Sequence, residues 1–432
     1  MKVTARNRPL YALYAANAIS FVGNQLTNLA IPWFVLSTTG SAAKTGITAF
    51  FALLPVIIAG VFGGAIVDRL GFTRSSIIAD LASGSTVALI ALLHGLGVLT
   101  FPLLLTLVFL GAFLDAPGET ARSSLLPDLA AHGNVSPESA AASLQAIERG
   151  SRLLGAPVAG LLVAAFGAVG LLWIDALTFA VSAAIVFLAV PHSVTVPVTA
   201  PAGNYWAELR TGFGFIRRDG LIFAIVLIAM VTNFLDVAKG SVAMPVMAKE
   251  VYNSSFALGL MYAASGGGAV VGAILYARNA GRLSRQRVFV WSFMLVSLPM
   301  LAFPFLPPLW VVIGLQILIG LAAGPLNPII YAVKYERVPP EMRGRVFGAI
   351  SAGANLAMPA GVLLGGFLID GIGLRGSFAI IGALYLAATL TLRINPAIRT
   401  MDSPPLPRQS QSAAIAFARA AQPPREGATE HP

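Results

Sequence analysis

The amino-acid sequence predicts an all-α integral membrane protein with twelve transmembrane helices in two six-helix halves. Of its 432 residues, 57% are hydrophobic and 11% are charged, and the mean hydropathy is +0.81. Soluble domains contain about 25% charged residues, so this chain has too few charges for a water-exposed surface. Twelve helices of about 20 residues fit within this length and leave room for loops and tails.

The same composition excludes several classes of protein. No charged stretch is long enough to form a domain, which excludes a soluble enzyme with one membrane anchor. The chain contains no cysteine, so disulfides, thiolate metal sites and cysteine nucleophiles are excluded as well.

Apolar segments alternate with short polar links and define the predicted spans. In the first half the spans are 10–36, 45–67, 75–96, 98–118, 139–166 and 168–190. In the second half they are 220–247, 255–277, 288–306, 309–333, 345–369 and 373–393. The first apolar segment follows three basic residues, as in a signal peptide. It is too long for a cleaved segment and has no convincing cleavage site, so we interpret it as a span.

Two segments lie outside the predicted spans. Residues 191–219 are predicted to form a cytoplasmic linker loop between an N-terminal half, 1–190, and a C-terminal half, 220–393. Residues 394–432 are polar and rich in proline, which predicts a disordered cytoplasmic tail.

The basic residues are distributed unevenly between the two sides of the predicted bundle. Of the 28 Lys and Arg residues, 22, including Arg122, fall on the side that carries both termini. Three lie on the other side and three within spans. Positive charge concentrates on the cytoplasmic side of membrane proteins, so both termini are predicted in the cytoplasm and the chain in the inner (plasma) membrane. This topology explains the net charge of +10 without a nucleic-acid partner.

The two halves show a weak internal repeat. Gly60 and Gly64 recur as Gly268 and Gly272, and Pro117 recurs as Pro325, each 208 residues later. Glycines four residues apart let helix backbones approach closely in lipid, so these are predicted packing faces. Two parallel six-helix halves are typical of transporters that bind substrate between the halves near the midplane.

The link after the second span contains a short motif. It reads Gly-x-x-x-Asp-Arg-x-Gly with a basic residue after it, formed by Gly64, Asp68, Arg69, Gly71 and Arg74. Gly64 permits a close helix contact, Gly71 permits a tight turn, and Asp68 can face a helix N-terminus or an arginine. The motif resembles the signature of the major facilitator superfamily, and the alternative is a generic Asp-Arg surface turn. The resemblance implies the twelve-helix fold and a cytoplasmic conformational latch, whereas the repeat copy has Tyr276 in place of the aspartate.

Other segments narrow the resemblance. The sequences NLAIPWFVLSTTGSA (28–42), DAPGETARSSLLPDL (115–129), GPLNPIIYAV (324–333) and PPEMRGRVFGAISA (339–352) resemble the branch of macrolide, other drug and enterobactin exporters, most closely its actinobacterial multidrug members. The antiporter signature of the fifth span normally has Gly directly before Pro. Here the equivalent residues are Gly155, Pro157 and Gly160, with Ala156 in between.

An ion gradient is the energy source that fits the remaining residues. The nearest phosphate-loop candidate, residues 40–45, lacks the glycine before its lysine. Four scattered histidines do not make a metal site, and no nucleophile-base grouping indicates an enzyme. We therefore expect no cofactor and no metal, with a proton gradient driving transport.

Ionisable groups inside spans are costly and mark function by default, so they are candidates for proton coupling. Glu148 and Arg152 in the fifth span are i,i+4 neighbours, and Asp236 and Lys239 in the seventh are i,i+3 neighbours. Each pair can equally be a static ion pair between helices. Asp115 and Glu119 in the fourth span are further candidates. Asp80 and Asp175 we assign to structural hydrogen bonds.

Polar side chains that can line a substrate cavity, or simply join helices, are Asn24, Asn28, Asn233, Gln316 and Asn327.

Taken together, these features predict a monomeric, proton-coupled exporter of amphipathic small molecules that works by alternating access. A siderophore or metabolite exporter, or an uptake permease of the same fold, is the first alternative. A transport-silent membrane scaffold or sensor is the second.

Overall fold

A computed structural model describes residues 6–191 and 205–402, apart from the side chains of residues 57, 59–66, 68, 69 and 205–208. Within these ranges the chain is helical and contains no β-strand. The helices, numbered in chain order, are α1 (Arg8–Thr39), α2 (Ala42–Leu70), α3 (Phe72–Gly95), α4 (Phe101–His132), α5 (Pro137–Ala189), α6 (Tyr205–Arg218), α7 (Gly220–Ala238), α8 (Met244–Glu250), α9 (Ser255–Asn279), α10 (Arg285–Met300), α11 (Leu309–Ala323), α12 (Leu326–Arg337), α13 (Arg343–Asn355), α14 (Met358–Ile394) and α15 (Pro396–Arg399).

Eight helical segments in the described part of the chain are long and apolar enough to cross a membrane. Two of them bend at glycines with left-handed backbone angles, Gly167 (φ 72°) in α5 and Gly373 (φ 76°) in α14. Only glycine adopts this conformation without strain, and both bends fall at the boundary between two predicted spans, so each long helix supplies two crossings. The 32-residue α1 and 29-residue α2 precede these segments and are long enough to cross. The helices therefore follow the order of the predicted spans.

Polar residues start several helices. Ser41 accepts a hydrogen bond from the amide of Lys44 at the start of α2, and Asp219 accepts from the amides of Leu221 and Ile222 at the start of α7. These side chains satisfy backbone donors that have no partner within the helix.

The helix bundle has two ends. We call the end where α1 begins and α14 ends the terminal end, and we call the other end the opposite end.

The glycines of the second repeat copy pack helices closely, as predicted. A Cβ atom on Gly268 would lie 2.5 Å from the carbonyl oxygen of Ile317, and one on Gly320 would overlap the carbonyl oxygen of Ser265. The backbones of α9 and α11 are therefore in direct contact. The first copy, at Gly60 and Gly64, lies outside the described side chains.

The predicted linker loop 191–219 contains a helix. In α6, Ile216 is buried against Val346 and Ala349 of α13, and a Cβ atom on Gly212 would lie 2.5 Å from the carbonyl oxygen of Arg345. The helix is strongly amphipathic, and its apolar face packs on the bundle. Apolar residues at helical spacing within a polar segment explain why hydropathy alone predicted a loop.

The first residues of the predicted disordered tail are ordered. Ile398 and Met401 are buried, and the Asp402 carboxylate accepts a hydrogen bond from the backbone amide of Arg285 (2.8 Å) at the start of α10. Arg285 also forms hydrogen bonds to the carboxylate of Glu336, which raise the pKa of Arg285. Residues 395–402 thus fasten the chain to the terminal end of the second half, and residues 403–432 lie outside the described range.

Candidate substrate cleft and buried acids

The two halves approach most closely at the opposite end of the bundle. A Cβ atom on Gly160 of α5 would lie 2.8 Å from the carbonyl oxygen of Ser255, the first residue of α9. One on Gly46 of α2 would lie 2.5 Å from the carbonyl oxygen of Val362 in α14. Side chains larger than glycine would separate these helices.

A carboxylate reinforces this closure. Asp370 of α14 accepts hydrogen bonds from the Ser41 hydroxyl (2.8 Å) and from the backbone amides of Ala42 (2.9 Å) and Ala43 (3.1 Å). These donors form the N-terminus of α2, where amides without an intrahelical partner and the helix dipole favour an anion. Asp370 therefore joins the second half to the first at the opposite end.

The halves separate toward the terminal end. In the described chain, their main contacts join α2 to α14 and to the π-helical turn Lys239–Ala243, α5 to α9, and α1 to α8. The last of these includes Lys249 Nζ, 5.6 Å from the ring centroid of Trp33 near the opposite end. Glu119 of α4 and Asn327 of α12 are exposed nearer the terminal end. This arrangement leaves a cleft between the halves that opens at the terminal end.

The predicted pair Glu148–Arg152 forms, but it is not buried. Arg152 Nη2 lies 2.7 Å from Glu148 Oε1, and the two side chains are 68% and 34% exposed, respectively. Exposed pairs of this type contribute about 0–1 kcal/mol in water, so this pair contributes little to the fold. The pair therefore lies at the surface of the described bundle, and its role in proton coupling stays a prediction.

The pair Asp236–Lys239 lies beside a break in regular helix geometry. Lys239 Nζ is 3.4 Å from Asp236 Oδ1, with Lys239 10% and Asp236 42% exposed. Lys239 begins the π-helical turn, and the carbonyl oxygen of Gly240 in this turn accepts a hydrogen bond from the Tyr262 hydroxyl (2.5 Å). A Cβ atom on Gly240 would meet no atom within 4 Å, so this turn borders open space. Single π-helical turns are frequent at functional sites.

Arg122 lies in the interior of the first half, although its sequence position suggested a cytoplasmic surface charge. It is 1% exposed, and its Nη1 is 2.6 Å from Oδ1 of Asp80, which is fully buried. Arg122 also donates to the Ser20 hydroxyl (3.2 Å), and Ser182 donates to Asp80 Oδ2 (2.7 Å). The structural role expected for Asp80 is therefore an ion pair as well as a hydrogen bond. Four helical segments converge on this cluster.

Asp115 occupies the same face of α4 as Arg122, two turns away. Its Oδ2 accepts a hydrogen bond from Asn24 Nδ2 of α1 (3.2 Å). Its Oδ1 is buried without a hydrogen-bond partner in the described chain. Because Arg122 contacts Asp80 directly, Asp115 is a half-buried acid without an ion pair of its own among the described residues. The structure thus brings Asn24 and Asp115 together and leaves Glu119 exposed.

The other polar candidates lie apart. Asn233 donates to the carbonyl oxygen of Ala354 (3.0 Å) and to Asn355 Oδ1 (3.1 Å), which joins α7 to α13. Gln316 is buried, and its Oε1 has no partner among the described residues. Asn28 and Asn327 are exposed. These residues are therefore distributed over both halves and do not form one cluster.

The fifth-span motif takes part in the closure between the halves. A Cβ atom on Gly155 would lie 2.7 Å from Cβ of Gln25 in α1. Gly160 and Pro157 both contact Gly259 of α9. The glycines of this motif thus bring α5 against α1 on one side and against the second half on the other.

The latch motif is described in part. The side chains of Gly64, Asp68 and Arg69 lie outside the described set. Gly71 is the single residue between α2 and α3 and has a φ of 81°, the conformation that a tight turn here requires. Arg74 is exposed in the first turn of α3.

In the described part of the chain, no group of three or more His, Cys, Asp and Glu side chains is placed to hold a metal ion.

A family comparison agrees with this architecture. A model of the Major Facilitator Superfamily matches residues 13–238 and 226–425. The chain belongs to the Major Facilitator Superfamily. It is a membrane transporter and not an enzyme, as the sequence predicted.

Superfamily relatives cover the whole length of the described bundle. The chain is 30% identical over 410 residues to the multidrug efflux pump Tap of Mycolicibacterium fortuitum, covering 93% of this chain and 99% of that one. It is 22% identical over 402 residues to macrolide efflux protein A of Streptococcus pyogenes, covering 91% and 97%. The predicted resemblance to the actinobacterial efflux branch is confirmed.

Solved structures of superfamily transporters share the fold. The nucleoside transporter NupG, as a D323A mutant, has a TM-score of 0.70 at 14% identity, with 91% of this chain and 99% of that chain covered. A bacterial homologue of the iron transporter ferroportin in an inward-facing state has a TM-score of 0.69 at 14% identity, with 92% and 99% covered.

Sequence reasoning did not single out Asp370. A carboxylate at a helix C-terminus is unfavourable unless a positive group faces it, and that position was a usable signal. Asp175, assigned to a structural hydrogen bond, forms such bonds with Thr27 and Thr178.

Proposed function

We propose that this protein exports amphipathic small molecules, such as drugs, across the bacterial inner membrane in exchange for protons, as a monomer with both termini in the cytoplasm. The observation that carries this proposal is the 30% identity to the multidrug efflux pump Tap over 93% of the chain. The terminal end then faces the cytoplasm, in agreement with the excess of basic residues on that side.

The arrangement of the halves supports alternating access. Closure at Gly160 and at Asp370, with a cleft at the terminal end, corresponds to a state open to the cytoplasm. Transport requires a second state in which these contacts separate and the terminal ends of the halves meet. The motif from Gly64 to Arg74 lies at the terminal end, where a latch would hold that second state.

The half-buried acid Asp115 is the best-supported proton-binding group among the acids that the sequence singled out for coupling. A charged carboxylate in a membrane-embedded bundle is costly unless a cation or hydrogen bonds compensate it, and a proton removes the charge. Glu148 and Asp236 each have a cation of their own, whereas the nearest arginine to Asp115 along α4 is committed to Asp80. Among these four acids, Asp115 therefore gains most from binding a proton, and Glu119, which is exposed, gains least.

The π-helical turn supports a substrate site in the second half. Asp236, Lys239 and Gly240 interrupt an otherwise apolar helix, and Gly240 borders open space. Amphipathic molecules need apolar contact area with a few polar groups that fix their orientation. We assign Asp236 to contact with the substrate rather than to proton binding.

A drug-susceptibility panel in an efflux-deficient bacterium tests the proposed function. Cells that produce this protein are expected to tolerate higher concentrations of several amphipathic drugs than otherwise identical cells that lack it. Equal susceptibility of both strains to every compound would contradict export as the function.

A further inference from the structure

Asp175 is a buried acid of the first half that, unlike Asp80, has no ion pair in the described chain. It lies in the part of α5 that follows the bend at Gly167, and it is fully buried. Thr27 of α1 donates a hydrogen bond to Asp175 Oδ2, and Thr178 donates to Oδ1 (3.2 Å). In the described chain no lysine or arginine forms an ion pair with Asp175. Two hydroxyl groups are weak compensation for a buried charge.

The backbone of α1 leaves room for this carboxylate. A Cβ atom on Gly23 would lie 2.6 Å from Asp175 Oδ1 and would overlap Thr178 Oγ1. The carboxyl group therefore points directly at α1 and occupies the space that a larger residue at position 23 would fill.

One stripe of α1 connects Asp175 to Asp115. Thr27 contacts Asp175, and Asn24, one helical turn away, contacts Asp115. Ser20, one turn further, contacts Arg122. The stripe places polar groups on consecutive turns along a single helix face, and each turn touches a different ionisable residue.

The two acids lie at different depths. Asp175 follows the bend at Gly167 by eight residues, which places it about 12 Å from the opposite end. Asp115 follows the start of α4 by fourteen residues, which places it about 21 Å from that end. A proton that enters from the opposite end therefore passes the depth of Asp175 before it reaches Asp115.

We propose that Asp175 is a proton relay that accepts protons from the outside and passes them to Asp115. This inference rests on the proposed proton-coupled export. In the relay step, the protonated carboxyl group of Asp175 loses its proton and becomes a carboxylate. The Asp115 carboxylate gains the proton, with water along the Thr27–Asn24 stripe as the carrier. The charge of the pair does not change, so no counter-ion has to move.

The surrounding ionisable groups identify the acceptor of the proton. The ionisable groups that follow along the stripe are Asp115 and Arg122 of α4 and Asp80 of α3, and Arg122 and Asp80 already neutralise each other. Thr27, Asn24 and Ser20 of α1 are polar but not ionisable. Asp115 is therefore the acceptor that lies next to Asp175.

Proteoliposomes with an acidic lumen and substrate outside separate a relay from the coupling site itself. In Asp175→Asn, the amide oxygen still accepts the hydrogen bond from Thr27 but cannot carry a proton. The initial rate of pH-driven uptake into the lumen is expected to fall at least about tenfold. The final substrate gradient and the downhill exchange rate should equal those of wild type, because Asp115 still sets the proton stoichiometry. Glu250→Gln removes an exposed acid at the opposite end and serves as the matched control, with no change expected.

The outcomes distinguish the relay from the proposed function. A wild-type initial rate in Asp175→Asn, or a lower final gradient, overturns the relay. Loss of proton-driven uptake in Asp115→Asn, measured in parallel, reports on the proposed function alone. Should Asp175→Asn fail to fold, Thr27→Val removes the hydroxyl of the stripe at constant volume. A wild-type initial rate in that variant likewise overturns the proposal.

Discussion

The carboxylate of Asp370 accepts a hydrogen bond from the backbone amide of Ala42 across the boundary between the two halves (2.9 Å). The amide of Ala43 and the hydroxyl of Ser41 donate to the same carboxylate. Helix N-termini bind anions because their amides and their dipole both favour negative charge. This contact stabilises the state that is closed at the opposite end, and it breaks whenever that end opens.

Asp370→Asn should shift the protein toward the state that is open at the opposite end. The neutral amide loses its interaction with the helix dipole, at a cost of about 1 kcal/mol, which is roughly a fivefold change in the ratio of states. Spin labels on cysteines at Lys44 and Ile372 report the separation, and the chain has no native cysteine to interfere. Longer distances in the variant are expected. Unchanged distance distributions would show that Asp370 does not hold the closure.

Gly160→Ala should block closure of the same end without unfolding the protein. The new methyl group would lie 2.8 Å from the carbonyl oxygen of Ser255 and 3.0 Å from Cα of Gly259, both backbone atoms that cannot move aside easily. Gly150→Ala is the matched control in the same helix, since a Cβ atom there meets nothing within 4 Å. Export should be lost in Gly160→Ala and retained in Gly150→Ala. Similar export by both variants would show that the close contact at Gly160 is not needed for transport.

Arg122→Ala should destabilise the protein far more than Arg152→Ala. Loss of a buried partner leaves the Asp80 charge uncompensated, which costs about 3–5 kcal/mol, whereas an exposed pair contributes about 0–1 kcal/mol. Thermal unfolding of the purified variants compares the two directly. A small shift in both midpoints would mean that water or lipid compensates Asp80.

The burial of Arg122 could not be predicted from the local sequence. An arginine near the end of an apolar segment is typical of a membrane surface, and the predicted span therefore ended at residue 118. The helix in fact continues to His132, and the charge of Arg122 is compensated by Asp80 and Ser20, 42 and 102 residues away in sequence. Such pairings depend on how helices meet, and hydropathy does not report them.

Elements set by local composition could be predicted well. The apolar segments gave the order of helices, and the bends at Gly167 and Gly373 fall at predicted span boundaries. Elements that depend on packing between distant segments of the chain could not be predicted in this way. Helix α6 exists because Ile216 and its neighbours pack on α13, and the segment to Asp402 is ordered because its carboxylate caps α10. Both depend on partners more than 100 residues away.

The central claim is that Asp115 binds the proton that drives export, and one transport measurement tests it most directly. Wild type and Asp115→Asn are reconstituted into vesicles with and without an imposed pH gradient. Asp115→Asn retains the Asn24 contact through its amide oxygen, so downhill exchange should proceed at a rate near that of wild type. Wild type should concentrate a neutral substrate by about tenfold for each pH unit and each proton exchanged. The variant should reach no concentration gradient at all. Accumulation by Asp115→Asn to the wild-type level would contradict the account.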